Sequence, residues 1–142
     1  MALFDTDVLI DHLRGNQGAR QLLLSFQEEV NYCSVITTGE ILFGMREEEK
    51  ERTMALLNSF NELAVDKNIV RLAHDIKEKA KGHRLELYDC ITAATALTFD
   101  QVLVTRNARH YHDDRLKLLV PDYSLEGTKN LKDGEEEQSG DD

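Results

Sequence analysis

The apolar positions change period several times along the chain, and each change marks an element. Leu3-Phe4 is a short apolar run closed by Asp5, which predicts a buried strand near 2–5. Val8-Leu9-Ile10 follows an acidic pair, so a turn or first helical turn is expected from Thr6. Gly15-Asn16 offers a break and a cap, after which Ala19, Leu22, Leu23 and Phe26 recur at helical spacing. Tyr32 to Ile36 is rich in β-forming types and reads as a second strand. Thr37 or Thr38 can cap a helix carrying Ile41, Leu42 and Met45. The charged run Glu47 to Arg52 is expected in solvent, and Met54, Leu57 and Phe60 resume an apolar face.

Leu63-Ala64-Val65 reads as a third short strand, and Asp66 as the cap of a helix whose face is Ile69, Leu72, Ala73, Ile76 and Ala80. Gly82 should end that helix. Asp89 stands before a compact helix, Ile91 to Leu97, whose Ala and Thr side chains allow close approach to a sheet. Gln101 to Thr105 is the clearest strand, apolar on both faces, and Leu116 to Val120, stopped by Pro121, is the last. Strands alternating with helices predict an α/β fold with a central parallel β-sheet flanked by helices.

The chain has 142 residues, one ordinary domain, and 41% of them are apolar, enough for a core. Acidic residues outnumber basic ones 27 to 17, giving −10, which argues against coating nucleic acid by bulk charge. Residues 125–142 hold seven acids against Lys129 and Lys132, so half of that charge belongs to a tail expected to be disordered. The folded domain is expected to span 1–124. Cys33 and Cys90 are too few for a disulfide scaffold and read as buried thiols. No apolar stretch approaches the roughly 20 residues of a membrane span, and the first residues do not form a signal peptide. The expectation is a cytoplasmic protein.

In open α/β sheets the ligand crevice lies beyond the C-terminal ends of the strands. Asp5 falls at the end of strand one, Glu40 in the expected first turn of the helix after strand two, Asp89 at the start of the helix before strand four, and Asn107 just past strand four. Asp7 and Asp11 are close enough in sequence for one to join them. Crowded carboxylates raise one another's pKa values, and a hard divalent cation resolves that conflict. The corresponding chemistry is metal-assisted hydrolysis of a phosphodiester. Taken singly, Asp89 also fits a helix cap and Glu40 a favourable helix-dipole position. The weight lies in the four together.

These residues carry a resemblance. Phe4-Asp5-Thr6-Asp7-Val8-Leu9-Ile10-Asp11 resembles the opening of PIN-domain proteins, especially VapC toxins of prokaryotic toxin–antitoxin pairs. Ile36 to Gly44, Leu87 to Ala96 and Leu103 to Tyr111 are similar to their second, third and fourth motifs, in order, so the resemblance covers 2–123. It implies a three-layer PIN-like fold and an Mg²⁺- or Mn²⁺-dependent endoribonuclease in which Asp5, Glu40 and Asp89 are the acidic site residues and metal ligands. Asn107 falls at the fourth acidic position, where it offers a carbonyl oxygen but no charge. Asp7 replaces the usual Asn of the opening motif, either to supply a carboxylate or to orient Asp5. Thr105 is a candidate for holding a water or a phosphate, and Arg106, Arg109 and Arg14 for backbone phosphates. The implied partners are RNA, a small antitoxin that places a basic side chain among the carboxylates, and a second copy of the chain. The apolar faces of the helix from Glu40 to Phe60 and of the helix after Asp66 are candidates for that pairing.

Other readings compete. A catalytically inactive PIN-like module that binds RNA or protein fits the Asn107 departure. A phosphoacceptor receiver domain needs a lysine after the last crevice strand, whereas Lys117 begins the final strand. His110 and His112 lack the partners of a tetrahedral zinc site, and His12 and His83 are only candidate RNA contacts. Lys77, Lys79, Lys81 and Arg84 form the densest basic stretch and could flank an RNA path. Tyr32, Tyr88 and Tyr111 are candidates for base stacking, while Phe4, Phe26, Phe43 and Phe60 are expected in the core.

Overall fold

A computed structural model describes residues 1–82, 84–126 and 128. Five parallel strands, β1 (Ala2–Phe4), β2 (Asn31–Ser34), β3 (Asn61–Leu63), β4 (Val102–Val104) and β5 (Leu118–Leu119), form one sheet in the order β3-β2-β1-β4-β5. β1 lies at the centre with Leu3 opposite both Tyr32 and Leu103. Its side chains alternate between two cores, as the two-residue period of a strand requires. Ala2 and Phe4 face a cluster with Val8, Leu9, Ile41 and Leu57, and Leu3 faces one with Ile69, Ala73, Ile91 and Ala94. The molecule therefore has three layers, as expected for the α/β fold. One layer contains α1 (Thr6–Leu13), α2 (Gln17–Ser25), α3 (Val35–Gly44) and α4 (Lys50–Asn58), and the opposite one α5 (Lys67–Lys79) and α6 (Leu87–Thr98).

Local chemistry explains most boundaries. Asn16 caps α2 through a bond from the Ala19 amide at 2.8 Å, and Gly15 supplies the positive φ of the preceding turn. Asp66 caps α5 through the Ile69 amide at 2.9 Å. Cys90 to Ala96 of α6 are all buried, so its small residues do pack closely. Cys33 and Cys90 are free and buried in different clusters, on opposite faces of the sheet.

Several expectations need correction. β2 ends at Ser34, not Ile36, because the Ser34 hydroxyl accepts the Ile36 amide and starts α3 there. Glu40 thus lies in the second turn of α3, and Thr37 and Thr38 are interior. The single helix from Glu40 to Phe60 is broken: α3 stops at Gly44, Met45 and Arg46 are extended, and a short 3-10 turn over Glu47–Glu49 leads into α4. Phe43 is 98% exposed, because Thr37 and Ile41 fix the inward phase of α3 and Phe43 falls on the far side. Asp89 lies inside the first turn of α6, which begins at Leu87, so it is not the cap. β3 begins at Asn61, two residues before the expected strand. The acidic tail, except Leu125, Glu126 and Thr128, and the proposed contact at His83 lie outside the described residues.

Candidate active site

The strand order reverses at β1: β2 lies to one side and β4 to the other. The crevice between their C-terminal ends is the switch point where α/β folds place ligands. Asp5 leaves β1 and Thr105 leaves β4 at this point, held together by the Asp5 amide on the Val104 carbonyl at 2.9 Å.

Asp5 is the best-supported carboxylate there. Its Oδ1 caps α1 by accepting the Thr6 amide at 2.8 Å, and its Oδ2 accepts the Thr105 hydroxyl and the Tyr111 phenol, each at 2.8 Å. These donors come from three separate points of the chain and aim the carboxylate into the crevice. Tyr111 is 7% exposed, and its hydroxyl is committed to Asp5. Its phenol is pushed far above the ordinary range by burial and by the charge of Asp5, so it stays a donor at any physiological pH.

Asp7 makes no bond to Asp5. Its Oδ1 accepts the Val8 amide at 2.7 Å and its Oδ2 the Arg106 amide at 3.0 Å, with the Thr105 hydroxyl at 3.4 Å. It thus pins the turn after β4 and reaches Asp5 only through Thr105. Burial, then repulsion from Asp5, push its carboxyl up to about 7. Asp11 does not join the cluster. It is buried and takes Arg106 Nε at 2.7 Å and the Tyr123 hydroxyl.

Glu40 Oε1 accepts the Thr6 hydroxyl at 2.9 Å, and Thr6 in turn meets Thr37 Oγ1 at 2.9 Å. Burial pushes the Glu40 carboxyl up, the Thr6 bond opposes this, and the charges of Asp5 and Asp89 add to the rise. Asp89 is raised chiefly by burial and also by Asp5, against the lowering influence of His110, whose Nδ1 lies 3.5 Å from Asp89 Oδ2. Asp5, Glu40 and Asp89 therefore share one electrostatic neighbourhood. Among the described residues, however, no three His, Cys, Asp or Glu side chains converge tightly enough to hold a metal ion.

The remaining candidates divide. Asn107 donates its amide to the Thr105 hydroxyl at 3.1 Å and begins the 3-10 turn at Ala108–His110. Arg106 spends its guanidinium on Asp11. Arg14 pairs with Glu49 at 3.5 Å, and Arg109 is exposed. Lys117 points away from the carboxylates, to Asp100 at 3.4 Å, so the receiver-domain arrangement is absent among the described residues. Tyr111, Thr6 and His110 support the cluster, a role that the apolar pattern of the sequence does not reveal. Tyr111 and His110 do lie within or at the end of the fourth motif, which was the available signal.

The donors fit a hard cation in kind. All are carboxylate oxygens, and the mutual repulsion recorded at Glu40 and Asp89 is the conflict such an ion relieves.

Comparison with known proteins places this geometry. Residues 2–116 match the PIN domain family. Ribonuclease VapC10 of Mycobacterium tuberculosis is 35% identical over 130 residues, covering 89% of this chain and 96% of that protein. Ribonuclease VapC19 of the same organism is 33% identical over 116 residues, covering 78% and 92%. A chain of a toxin–antitoxin complex from Klebsiella pneumoniae superposes with a TM-score of 0.74 at 30% identity, covering 87% of this chain and all of that one. The chain is a PIN-domain protein, closely related to the VapC-type toxins of toxin–antitoxin systems.

Proposed function

We propose that the protein is a metal-dependent endoribonuclease, acting as the toxin of a toxin–antitoxin pair. The observation that carries this reading is geometric: at the sheet's switch point Thr6 holds both Asp5 and Glu40, and Thr105 from β4 holds the other oxygen of Asp5. The names of its relatives as ribonucleases agree with it.

Asp5, Glu40 and Asp89 would hold Mg²⁺ or Mn²⁺. The bound ion supplies Lewis-acid stabilisation of the phosphate and an activated water. The protein's part is orientation. Thr6 serves both Asp5, through its amide, and Glu40, through its hydroxyl, so one residue fixes two carboxylates. Thr105 and Tyr111 fix the other oxygen of Asp5. His110 places its Nδ1 3.5 Å from Asp89 Oδ2, beside the site. Asp7 holds the Arg106 amide, which keeps the turn carrying Thr105 and Asn107 in place. In-line attack by water does not use the ribose 2′-hydroxyl, so the products should carry no 2′,3′-cyclic phosphate.

Two protein partners belong to this reading. An antitoxin side chain bearing positive charge complements the coupled carboxylates. Phe43, 98% exposed, and Tyr88, 52% exposed, line one groove with Val35, Ile36 and Glu40 and give the site's edge an apolar face suited to a second copy. Among the described residues no helix is long and apolar enough to cross a membrane, and a toxin acting on cellular RNA would work in the cytoplasm.

Digestion of total cellular RNA with Mg²⁺ or Mn²⁺, with cut ends sequenced and the Asp5→Asn protein as control, tests the proposal. Discrete internal cuts absent with EDTA and with Asp5→Asn support it. RNA binding without cleavage under either ion would instead identify the inactive PIN-like module.

A further inference from the structure

A cavity of about 250 Å³ shares Asp89, His110 and Tyr111 with the carboxylate crevice. Tyr111 forms a partition: its hydroxyl bonds Asp5 while the residue also lines the cavity. Asp89 and His110 stand at the same boundary. The inner wall is apolar, built from Ile76 and Ala93, both almost fully buried, with half-buried Ala80, Leu85 and Leu116. The rim is ionic. Lys79, at the end of α5, stands across from Asp113, which is bonded to Arg115.

We propose that this cavity is a nucleobase subsite, receiving the base next to the scissile phosphate of an RNA strand. This deepens the nuclease reading and rests on it for the position of the phosphate. A nucleobase has flat apolar faces and a polar edge, matching an apolar wall with an ionic rim. The volume lies below the roughly 300–1,000 Å³ of pockets for drug-sized ligands, so it admits one base and not several. Exposed Lys79, at the end of α5, lines the mouth, where it would attract the strand's phosphates. One shared wall between carboxylates and cavity puts a neighbouring base within reach of the second when a phosphate occupies the first.

The test uses the full chain in EDTA. Amide spectra are recorded while the four nucleoside 5′-monophosphates are added in turn, with inorganic phosphate as control. The subsite predicts shifts at Ala80, Ala93 and Leu116 with nucleotides but not with phosphate, and unequal affinities among the bases. Ala80→Leu, which fills the cavity from a half-buried helix end, should abolish the shifts. Lys79→Glu, confined to the exposed rim, should weaken them without entering the core. In the RNA digest, one base should be enriched at one position beside the cut. That preference should fall about tenfold in Ala80→Leu. Shifts that bypass the cavity, shifts unchanged in both variants, or no response to any nucleotide overturn the subsite. A cavity that binds nucleotides in a protein that cuts no RNA leaves the subsite standing as a base site and removes the nuclease reading. Cleavage with no base preference does the reverse.

Discussion

Asp5 accepts three hydrogen bonds, and Tyr111 supplies the one that comes from farthest along the chain, 106 residues away. Partners that orient a ligating carboxylate commonly contribute about 10–100-fold to metal affinity or activity. Tyr111→Phe should therefore cost about that much cleavage while leaving the fold intact, as circular dichroism would check. Asp7 gives a second prediction. In cation-free protein its carboxyl rises from 3.8 to about 7 on folding. The folded state then binds the proton more tightly, so the group's contribution is full below about pH 4 and is lost as pH climbs through about 7. Melting temperatures in EDTA should fall across that window, and Asp7→Asn should flatten the fall. An equal slope in both proteins would remove Asp7 as its source. At this scale Asp5 was legible in the sequence, since it directly closes an apolar strand, whereas Glu40 and Asp89 lie inside their helices and were legible only as part of the set of four. Tyr111 was not, because an aromatic residue just after a 3-10 turn says nothing of where its hydroxyl points until the turn is closed.

At the scale of elements, the segment after β5 is tied back to the site by side chains. Tyr123 lies against Gly18 of α2 and donates to Asp11, and Asp11 holds Arg106, whose amide serves Asp7. A Cβ at Gly18 would lie 2.1 Å from Tyr123 Cβ, a contact that neither backbone nor ring can absorb without moving the segment. Gly18→Ala should lower stability by about 1–3 kcal/mol, the usual cost of overpacking, read as an earlier urea midpoint with unchanged slope. Tyr123→Phe, which removes only the hydroxyl, should cost about 1 kcal/mol. The caps at Asn16 and Asp66 were legible because a polar residue before an apolar periodic run has few other uses. The start of α3 was not. Tyr32 to Ile36 has strand composition throughout, and the Ser34 cap overrides it at Val35. The break at Met45 and Arg46 was hidden in the same way, because apolar spacing resumes after it.

For the whole molecule, topology does the positioning. The reversal of strand order at β1 brings Asp5 and Thr105 together across 100 residues of sequence, and the motifs would mean little without it. Alternation of strands and helices was enough to give the layers, because β1 must be buried on both faces. It could not give the strand order, which depends on pairings between distant segments. The chain's acidity also looks different at this scale. Repulsion among Asp5, Glu40 and Asp89 destabilises the empty fold, so a cation that binds them should stabilise it. At about 100 times its Kd an ion adds about 2.7 kcal/mol, so Mn²⁺ should raise the melting temperature of the wild type and not of Asp5→Asn. If Phe43 belongs to a face between copies, Phe43→Ser should shift sedimentation towards the monomer with little change in melting temperature. The most direct test of the central claim is the initial rate of RNA cleavage across a Mn²⁺ titration, run in parallel on wild type, Asp5→Asn and Asp89→Asn. Saturable, EDTA-sensitive cleavage in the wild type, reduced by several kcal/mol of barrier or about 100-fold or more in each variant, is the predicted result. Cleavage that ignores the metal, or that persists equally in the variants, would contradict it.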